Sequence, residues 1–278
     1  MKKLLSAELK RAFGSPLLWA GVCVIVIIHL FEILLSGYGF YISADTFLFY
    51  GTPVICVCLA VFIPLHAGQE FEVRTVNHKI IAGYRRKQIY VAEMVVAMVC
   101  GLIFLLADMG SVLLFARIKK LSLDMTVGKL AVYFVICYSC IIAVSTLFTT
   151  IAMVMHKRLH SIVVTVCLTL LALQVGGNTV SALKQPEYRV EKSGSVVENP
   201  LHIDGAGRAV ANIHVMLSPF AQAKYHPEMQ HETPEIKAEN SLVCKGMTYH
   251  WEFCMANLIE TLVLAQIGIS IFKKQNLK

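Results

Sequence analysis

Residues 68–90, GQEFEVRTVNHKIIAGYRRKQIY, form a short basic segment between two long apolar runs at residues 47–65 and 91–116. Short loops that are rich in lysine and arginine are retained on the cytoplasmic side of a membrane. We therefore expect this segment to be a cytoplasmic loop that joins two membrane-spanning helices. Its lysine and arginine residues are Arg74, Lys79, Arg85, Arg86 and Lys87.

The composition of the whole chain is typical of a membrane protein. Hydrophobic residues make up 56% of its 278 residues, charged residues make up 15%, and the mean hydropathy is +0.65. A spanning helix needs about 20 mostly apolar residues. The candidate runs are continuously apolar and do not alternate as barrel strands do, so we predict an all-α fold with six transmembrane helices. They lie at residues 17–35, 47–65, 91–116, 130–155, 162–180 and 253–272.

The distribution of lysine and arginine predicts the orientation of these helices. With the N-terminus inside, 14 of the 25 lysine and arginine residues fall in inner segments, whereas the first outer loop at residues 36–46 has none. Both termini are then cytoplasmic, and the chain is a multi-pass membrane protein. One short outer loop disagrees with this orientation, because it carries Arg117, Lys119, Lys120 and Lys129.

Two helices are expected on the cytoplasmic side. Residues 1–16 are predicted to form an amphipathic helix on the inner leaflet, and Glu8 and Arg11 avoid its apolar face. Residues 17–182 then hold helices one to five, with a second short helix at residues 71–82 that Gly83 ends. The apolar face of the first helix consists of Leu5, Leu9, Ala12 and Phe13.

Residues 183–251 differ in composition and hold five of the eight prolines. We expect an extracellular segment with a small subdomain, including an exposed connector at residues 187–198 and an amphipathic helix at residues 207–217. The last transmembrane helix and a cytoplasmic tail follow at residues 252–278. Two cysteines lie near the outer face, and whether they pair stays open: Cys244 and Cys254.

Motifs of soluble enzymes are absent from the sequence. It has no G-x-x-x-x-G-K-[ST] phosphate loop, no H-E-x-x-H zinc motif and no G-x-S-x-G nucleophile motif. We therefore expect no catalytic residues, no metal site and no cofactor bound by this chain. Its net charge of +7 follows from basic inner loops, so we expect no nucleic-acid partner.

Ionisable residues inside the predicted spans are the remaining polar candidates. Such groups are costly in a bilayer, so they usually face a partner or a cavity. His29 and Glu32 are three residues apart on one helix face, and with Glu260 they are candidates for a translocation path. A proton relay and a paired structural group both stay open for them. Glu93 is expected to reach the inner interface by snorkelling, and Asp108 lies in the same span.

Three features together resemble one family: the amphipathic first helix, the basic loop after the second span and the outer segment after the fifth. The outer segment carries Asn199-Pro200, Gly205, Gly207, Arg208, Pro219 and Gln222 in that order. The chain resembles a permease subunit of the type-2 ABC exporters of Gram-positive bacteria. The loop pattern that carries this resemblance comprises Arg74, Thr75, Val76, Asn77, Lys79, Ile80, Ile81, Gly83, Arg85 or Arg86, Ile89 and Tyr90, with His78 as an extra residue type.

The resemblance implies a bacterial cell-membrane transporter subunit rather than an enzyme. Residues 71–82 would be the coupling helix that docks on a separate ABC ATPase subunit, which would bind ATP and magnesium. A second permease subunit, identical or related, would complete the path through the lipid bilayer. The implied ATPase-coupling residues are Arg74, Thr75, Asn77, Lys79, Ile81, Gly83, Arg85 and Arg86.

Two other classes of function stay open. The chain could be a non-transporting membrane anchor or immunity protein that binds a peptide through its outer segment. It could also be an intramembrane proton-dependent or metal-dependent enzyme built on His29, Glu32 and Glu260.

Overall fold

The computed structural model describes residues 1–35, 44–155, 157–190, 195–227 and 251–275. These residues are mostly helical, as predicted, with one short 3₁₀ turn at Ala44–Phe47 and a two-stranded hairpin. The helices are α1 Lys2–Phe13, α2 Pro16–Leu35, α3 Thr52–Glu72, α4 Thr75–Ile81, α5 Arg86–Lys119, α6 Val127–Met155, α7 Arg158–Leu183, α8 Gly205–Leu217, α9 Pro219–Tyr225 and α10 Trp251–Lys274.

Five of these helices are long and apolar enough to cross a membrane: α3, α5, α6, α7 and α10. The predicted first span corresponds to α2, which meets α1 at a bend of 56°. If α1 and α2 are counted together as one bent span, the number of possible membrane crossings is six. Pro16 begins α2, where the missing amide hydrogen of proline leaves no helical hydrogen bond unmade.

Helix α6 lies in the middle of the bundle and packs against α3, α5 and α10. In a bilayer, helices associate through close packing and hydrogen bonds, because lipid tails are as apolar as leucine. The contact between α7 and α3 fits this rule, since small polar residues of α7 are buried along one face. Thr165 donates a hydrogen bond to the carbonyl of Ala60 at 2.7 Å. The opposite faces of α7 and α10 expose leucines and valines, as lipid-facing helices do.

The structure divides the segment that was expected to be one loop at residues 68–90. Helix α3 continues to Glu72, and Arg74 then adopts a left-handed conformation with φ 57°. The chain turns there, so α4 begins only at Thr75 and the predicted start of that helix at residue 71 is wrong. Gly83 ends the turn after α4 with φ +89°, a conformation that glycine adopts without strain.

The outer segment is partly integrated into the bundle. Tyr188–Val190 and Val196–Glu198 pair as antiparallel strands, so the connector expected at residues 187–198 contains a hairpin. Helix α8 agrees with the helix expected at residues 207–217. Helix α9 packs against α7, α6 and α3 and buries Phe220 and Ala221, so it belongs to the helix bundle rather than to a separate subdomain. Cys244 lies outside the described residues, and the pairing of Cys244 with Cys254 is therefore not addressed.

Candidate functional site

The short helix α4 has two different sides. Val76 and Lys79 are buried against the bundle. On the opposite side Ile81 is 81% exposed and, in the preceding turn, Val73 is 63% exposed. Arg74 and His78 are exposed beside them, so the outward side of α4 and its turn combines apolar and basic side chains. We call this side, consisting of Val73, Arg74, His78, Ile81 and Arg85, the α4 surface.

The inward side of α4 is held by a buried group of charged residues, the ion cluster. Lys79 forms ion pairs with Glu8 of α1 and Glu70 of α3, and its Nζ lies 3.5 Å from Glu93 of α5. All three carboxylates are at most 3% exposed. A single lysine of α4 is therefore bonded to three other helices. The ion cluster consists of Glu8, Arg11, His66, Glu70, Lys79 and Glu93.

Arg11 is the second cation of the ion cluster. It forms ion pairs with Glu70, with Glu8 at 3.0 Å and with Glu93 at 3.2 Å. Its Nη2 also lies 2.9 Å from Nε2 of His66. Because a guanidinium group only donates, the Nε2 atom of His66 accepts, and the ring is neutral with its proton on Nδ1.

The Lys79 ammonium stays charged in this environment. Burial by itself would lower the pKa of Lys79. The carboxylates of Glu93 and Glu70, together with hydrogen bonds from Lys79 to Glu70 and Glu8, outweigh burial and raise that pKa above its ordinary value. Lys79 is therefore a cation of the ion cluster over the whole physiological pH range.

The donor atoms of the ion cluster also satisfy a distance test for a metal site. Glu8, His66 and Glu93 each offer a ligand atom within 4.8 Å of the others. A metal ion at this point would have to displace Arg11 and Lys79, because these two cations already bind the same carboxylates. The set fits an internal ion cluster better than a metal site.

The cluster corrects two sequence-based expectations. Glu93 was expected to snorkel to the interface, but it is buried between two cations. A helix lies near the N-terminus as predicted, but Glu8, which was expected to avoid the apolar face, is buried. Glu8 faces the bundle with Leu4 and Ala12, whereas Phe13 is 43% exposed.

The expected coupling residues divide into three groups. Arg74, Ile81, Gly83 and Arg85 are exposed, and Thr75 and Asn77 are half-buried. Lys79 is buried in the ion cluster, so its ammonium faces the inside of the protein. Arg86 binds the C-terminal end of α10 and donates to the carbonyl oxygens of Phe272, Lys273 and Gln275.

A second buried charged group lies at the far end of α2. His29 is fully buried, and its Nδ1 lies 2.9 Å from Oε2 of Glu32. Its Nε2 lies 2.7 Å from Oδ1 of Asp108 on α5. The backbone of Gly51 approaches this group so closely that a Cβ atom there would overlap Oδ1 of Asp108. We call His29, Glu32 and Asp108 the carboxylate–histidine triad.

The structure separates the predicted translocation-path candidates. His29 and Glu32 are in contact, as their spacing predicted, and their additional partner is Asp108. Glu260 lies on α10, and among the described residues its Oε2 atom is buried without a hydrogen-bond partner. Among the described residues, Glu260 shares no hydrogen bond or ion pair with His29 or Glu32.

The sequence carries only partial signals for these groups. Asp108 was recognised as an ionisable residue in a span, but its partner on α2 is 79 positions away in the chain. His66 and Glu70 were missed because they stand near the end of an apolar run, where charged residues are common. Glu8 and Arg11 were missed because they were expected on the polar side of the first helix. The chain matches no protein-family model and no curated protein.

Proposed function

We propose that the chain is the membrane-spanning permease subunit of an ATP-driven exporter of the type-2 ABC class. The observation that supports this most directly is the two-sided character of α4. Val73, Arg74 and Ile81 are exposed on one side, where a partner could bind. The other side is bonded through Lys79 to α1, α3 and α5. A docking element needs an outer side that can bind a partner and a rigid attachment to the spans.

The proposed mechanism uses the ion cluster as that attachment. ATP and magnesium bind to the partner ATPase subunits and bring them together. The ATPase moves α4, and the ion pairs of Lys79 transmit the motion to Glu70 on α3 and Glu93 on α5 as a rigid-body displacement. The spans then alternate between inward-facing and outward-facing arrangements. A second permease subunit, identical or related, would complete the path.

The docking proposal is tested by co-purification from the bacterial membrane in mild detergent. The partner is identified by mass spectrometry as a chain with a G-x-x-x-x-G-K-[ST] loop, and the purified complex is assayed for ATP hydrolysis. We expect the double variant Arg74→Glu, Ile81→Asp to lose this chain, because one substitution reverses a charge and the other places a carboxylate in an apolar contact. Membrane insertion should be unchanged, since both side chains are exposed.

A matched control makes the same two chemical changes at the opposite end of α5. Lys119→Glu with Ile118→Asp also reverses one cation and charges one exposed isoleucine, which is 67% exposed. This control should retain the ATPase. Retention of the ATPase by the Arg74→Glu, Ile81→Asp variant would count against α4 as the docking element.

A peptide-binding anchor is the second candidate, and one observation favours it. Helix α8 exposes Val210, Ile213 and Leu217 on one side, although Ala211 and Val215 on its other side are buried. An exposed apolar helix face can bind a partner helix or peptide. Transport in sealed vesicles separates the two functions, because export requires ATP hydrolysis and peptide capture does not.

A further inference from the structure

The carboxylate–histidine triad has no part in the docking of α4, since it lies at the other end of α2. His29 and Asp108 have fully buried side chains, whereas the Glu32 side chain is 29% exposed. Glu32 also lines a cavity of about 450 Å³ between α2, α3, α7 and α9. Glu32 is therefore the one member of the triad that water in the cavity can reach.

The hydrogen bonds of the triad fix how many protons it holds. Each ring nitrogen of His29 lies within hydrogen-bond distance of a carboxylate oxygen, so each contact requires one proton. Two protons make both bonds, and the group is then an imidazolium between two carboxylates with one net negative charge. With only one proton, an unprotonated ring nitrogen would face an unprotonated carboxylate at one of the two contacts. Two lone pairs would then repel each other.

A third proton would remove all three charges without breaking either hydrogen bond. Glu32 takes up this proton from the cavity on its second oxygen, Oε1. His29 passes its Nε2 proton to Oδ1 of Asp108 across 2.7 Å. The result is a neutral Glu32 that still accepts from Nδ1, a neutral His29, and a neutral Asp108 that now donates to Nε2. The number of protons balances, because one enters and one moves inside the triad.

Burial favours this neutral form. His29 and Asp108 are both completely buried, and a charge in such surroundings is costly compared with a neutral hydrogen-bonded group. We propose that the triad is a proton-binding site, loaded from the cavity through Glu32, that takes up one proton per chain. Other titratable or charged groups that face it from neighbouring elements are Cys137 on α6, Tyr50 before α3, and, across the cavity, Lys184 after α7 and Lys224 on α9.

The charge of His29 should respond to acidification in the opposite direction from that of an isolated histidine. An isolated histidine gains positive charge when the pH falls. In the triad, acidification should instead convert His29 from imidazolium to neutral imidazole, because its proton moves to Asp108. The same transition should produce two protonated carboxyl groups.

The test uses the full chain in phosphatidylcholine bilayers with ¹⁵N-labelled histidine. Solid-state NMR reports the charge of His29, which is assigned by its absence in His29→Gln, and infrared difference spectroscopy reports protonated carboxyl groups. On acidification we expect loss of the His29 imidazolium signal together with two new carboxyl C=O bands. Glu32→Gln and Asp108→Asn should each remove one band, whereas the control Glu260→Gln should keep both.

The opposite result would overturn the proposal. If His29 gains charge on acidification, or if both carboxyl bands persist in Glu32→Gln, the triad does not bind a proton in this way. Glu32 is partly exposed, so Glu32→Gln tests the site even if Asp108→Asn does not fold. Neither measurement needs an ATPase partner, so this inference stands or fails separately from the proposed exporter function.

Discussion

Lys79 lies among the carboxylates of Glu8, Glu70 and Glu93 and is only 9% exposed. Removing one partner of a buried ion pair leaves an uncompensated charge, which is far more costly than losing a surface pair. In Lys79→Met, three buried carboxylates would share the single cation Arg11. The contribution of Lys79 to the attachment of α4 can therefore be measured as a change in the free energy of unfolding.

We expect Lys79→Met to lower the free energy of unfolding by about 3–5 kcal/mol, the usual cost of breaking a buried pair. The measurement is thermal unfolding of the purified chain in detergent at neutral pH. Lys87→Met is the control, because Lys87 is exposed on α5 and its substitution should change the stability by less than about 0.5 kcal/mol. Equal stabilities for the two variants would contradict the structural role of the ion cluster.

The free energy of unfolding of the original chain differs from that of Lys79→Met, and the pH dependence of this difference follows from the raised pKa of Lys79. A lysine whose pKa is higher in the folded state than its ordinary value of 10.5 stabilises the protein fully below 10.5. This stabilisation is lost as the pH rises through the higher, folded-state pKa. The part of the stability difference between the original chain and Lys79→Met that comes from the Lys79 charge should therefore decrease above about pH 10. A difference that grows at alkaline pH would contradict this.

At the scale of elements, Arg86 connects the start of α5 to the end of α10. Its Nη1 donates to the carbonyl of Lys273 at 3.1 Å and to that of Phe272 at 3.3 Å. The last carbonyls of a helix have no intrahelical partners, and a cation there also interacts favourably with the helix dipole. Arg86 therefore stabilises the C-terminal turn of α10.

We expect Arg86→Ala to increase amide hydrogen exchange over the last turn of α10, because the carbonyls that Arg86 binds lose their partner. The adjacent substitution Arg85→Ala is a matched control, since Arg85 is exposed and makes no such contact with α10 among the described residues. Hydrogen exchange with mass spectrometry distinguishes the two variants. Unchanged exchange near residue 273 in Arg86→Ala would show that the capping contact is dispensable.

At the scale of the whole molecule, the two charged groups lie at opposite ends of the bundle. The ion cluster joins α1, α3, α4 and α5 at one end, and the triad with its cavity lies at the other. The positive-inside distribution of lysine and arginine predicts that the ion cluster is at the cytoplasmic end. The proposed exporter function requires this orientation, because ATP is cytoplasmic.

We expect His78→Cys on α4 to react with a membrane-impermeant maleimide only after the cells are permeabilised. Tyr188→Cys in the hairpin should react in intact cells, because Tyr188 is 53% exposed and belongs to the predicted extracellular segment. The original chain, treated in parallel, gives the background from its own cysteines. Labelling of His78→Cys in intact cells would reverse the orientation and rule out docking of a cytoplasmic ATPase at α4.

The sequence by itself determined the features that depend on neighbouring residues. Continuous apolar runs fixed where α5, α6 and α10 lie, since a helix in lipid must satisfy its own backbone hydrogen bonds. Gly83 fixed the end of α4, because glycine adopts a positive φ without strain. The spacing of His29 and Glu32 likewise predicted their contact.

Only the tertiary structure decided how charged residues of different helices meet. The partners in the ion cluster are up to 82 positions apart, as in the pair Arg11 and Glu93. Periodicity shows which face of a helix is apolar, but it does not show which neighbouring helix will supply a counter-charge. For this reason Glu8 was expected on the polar side of α1, although bundle packing places it beside Lys79, which compensates its charge.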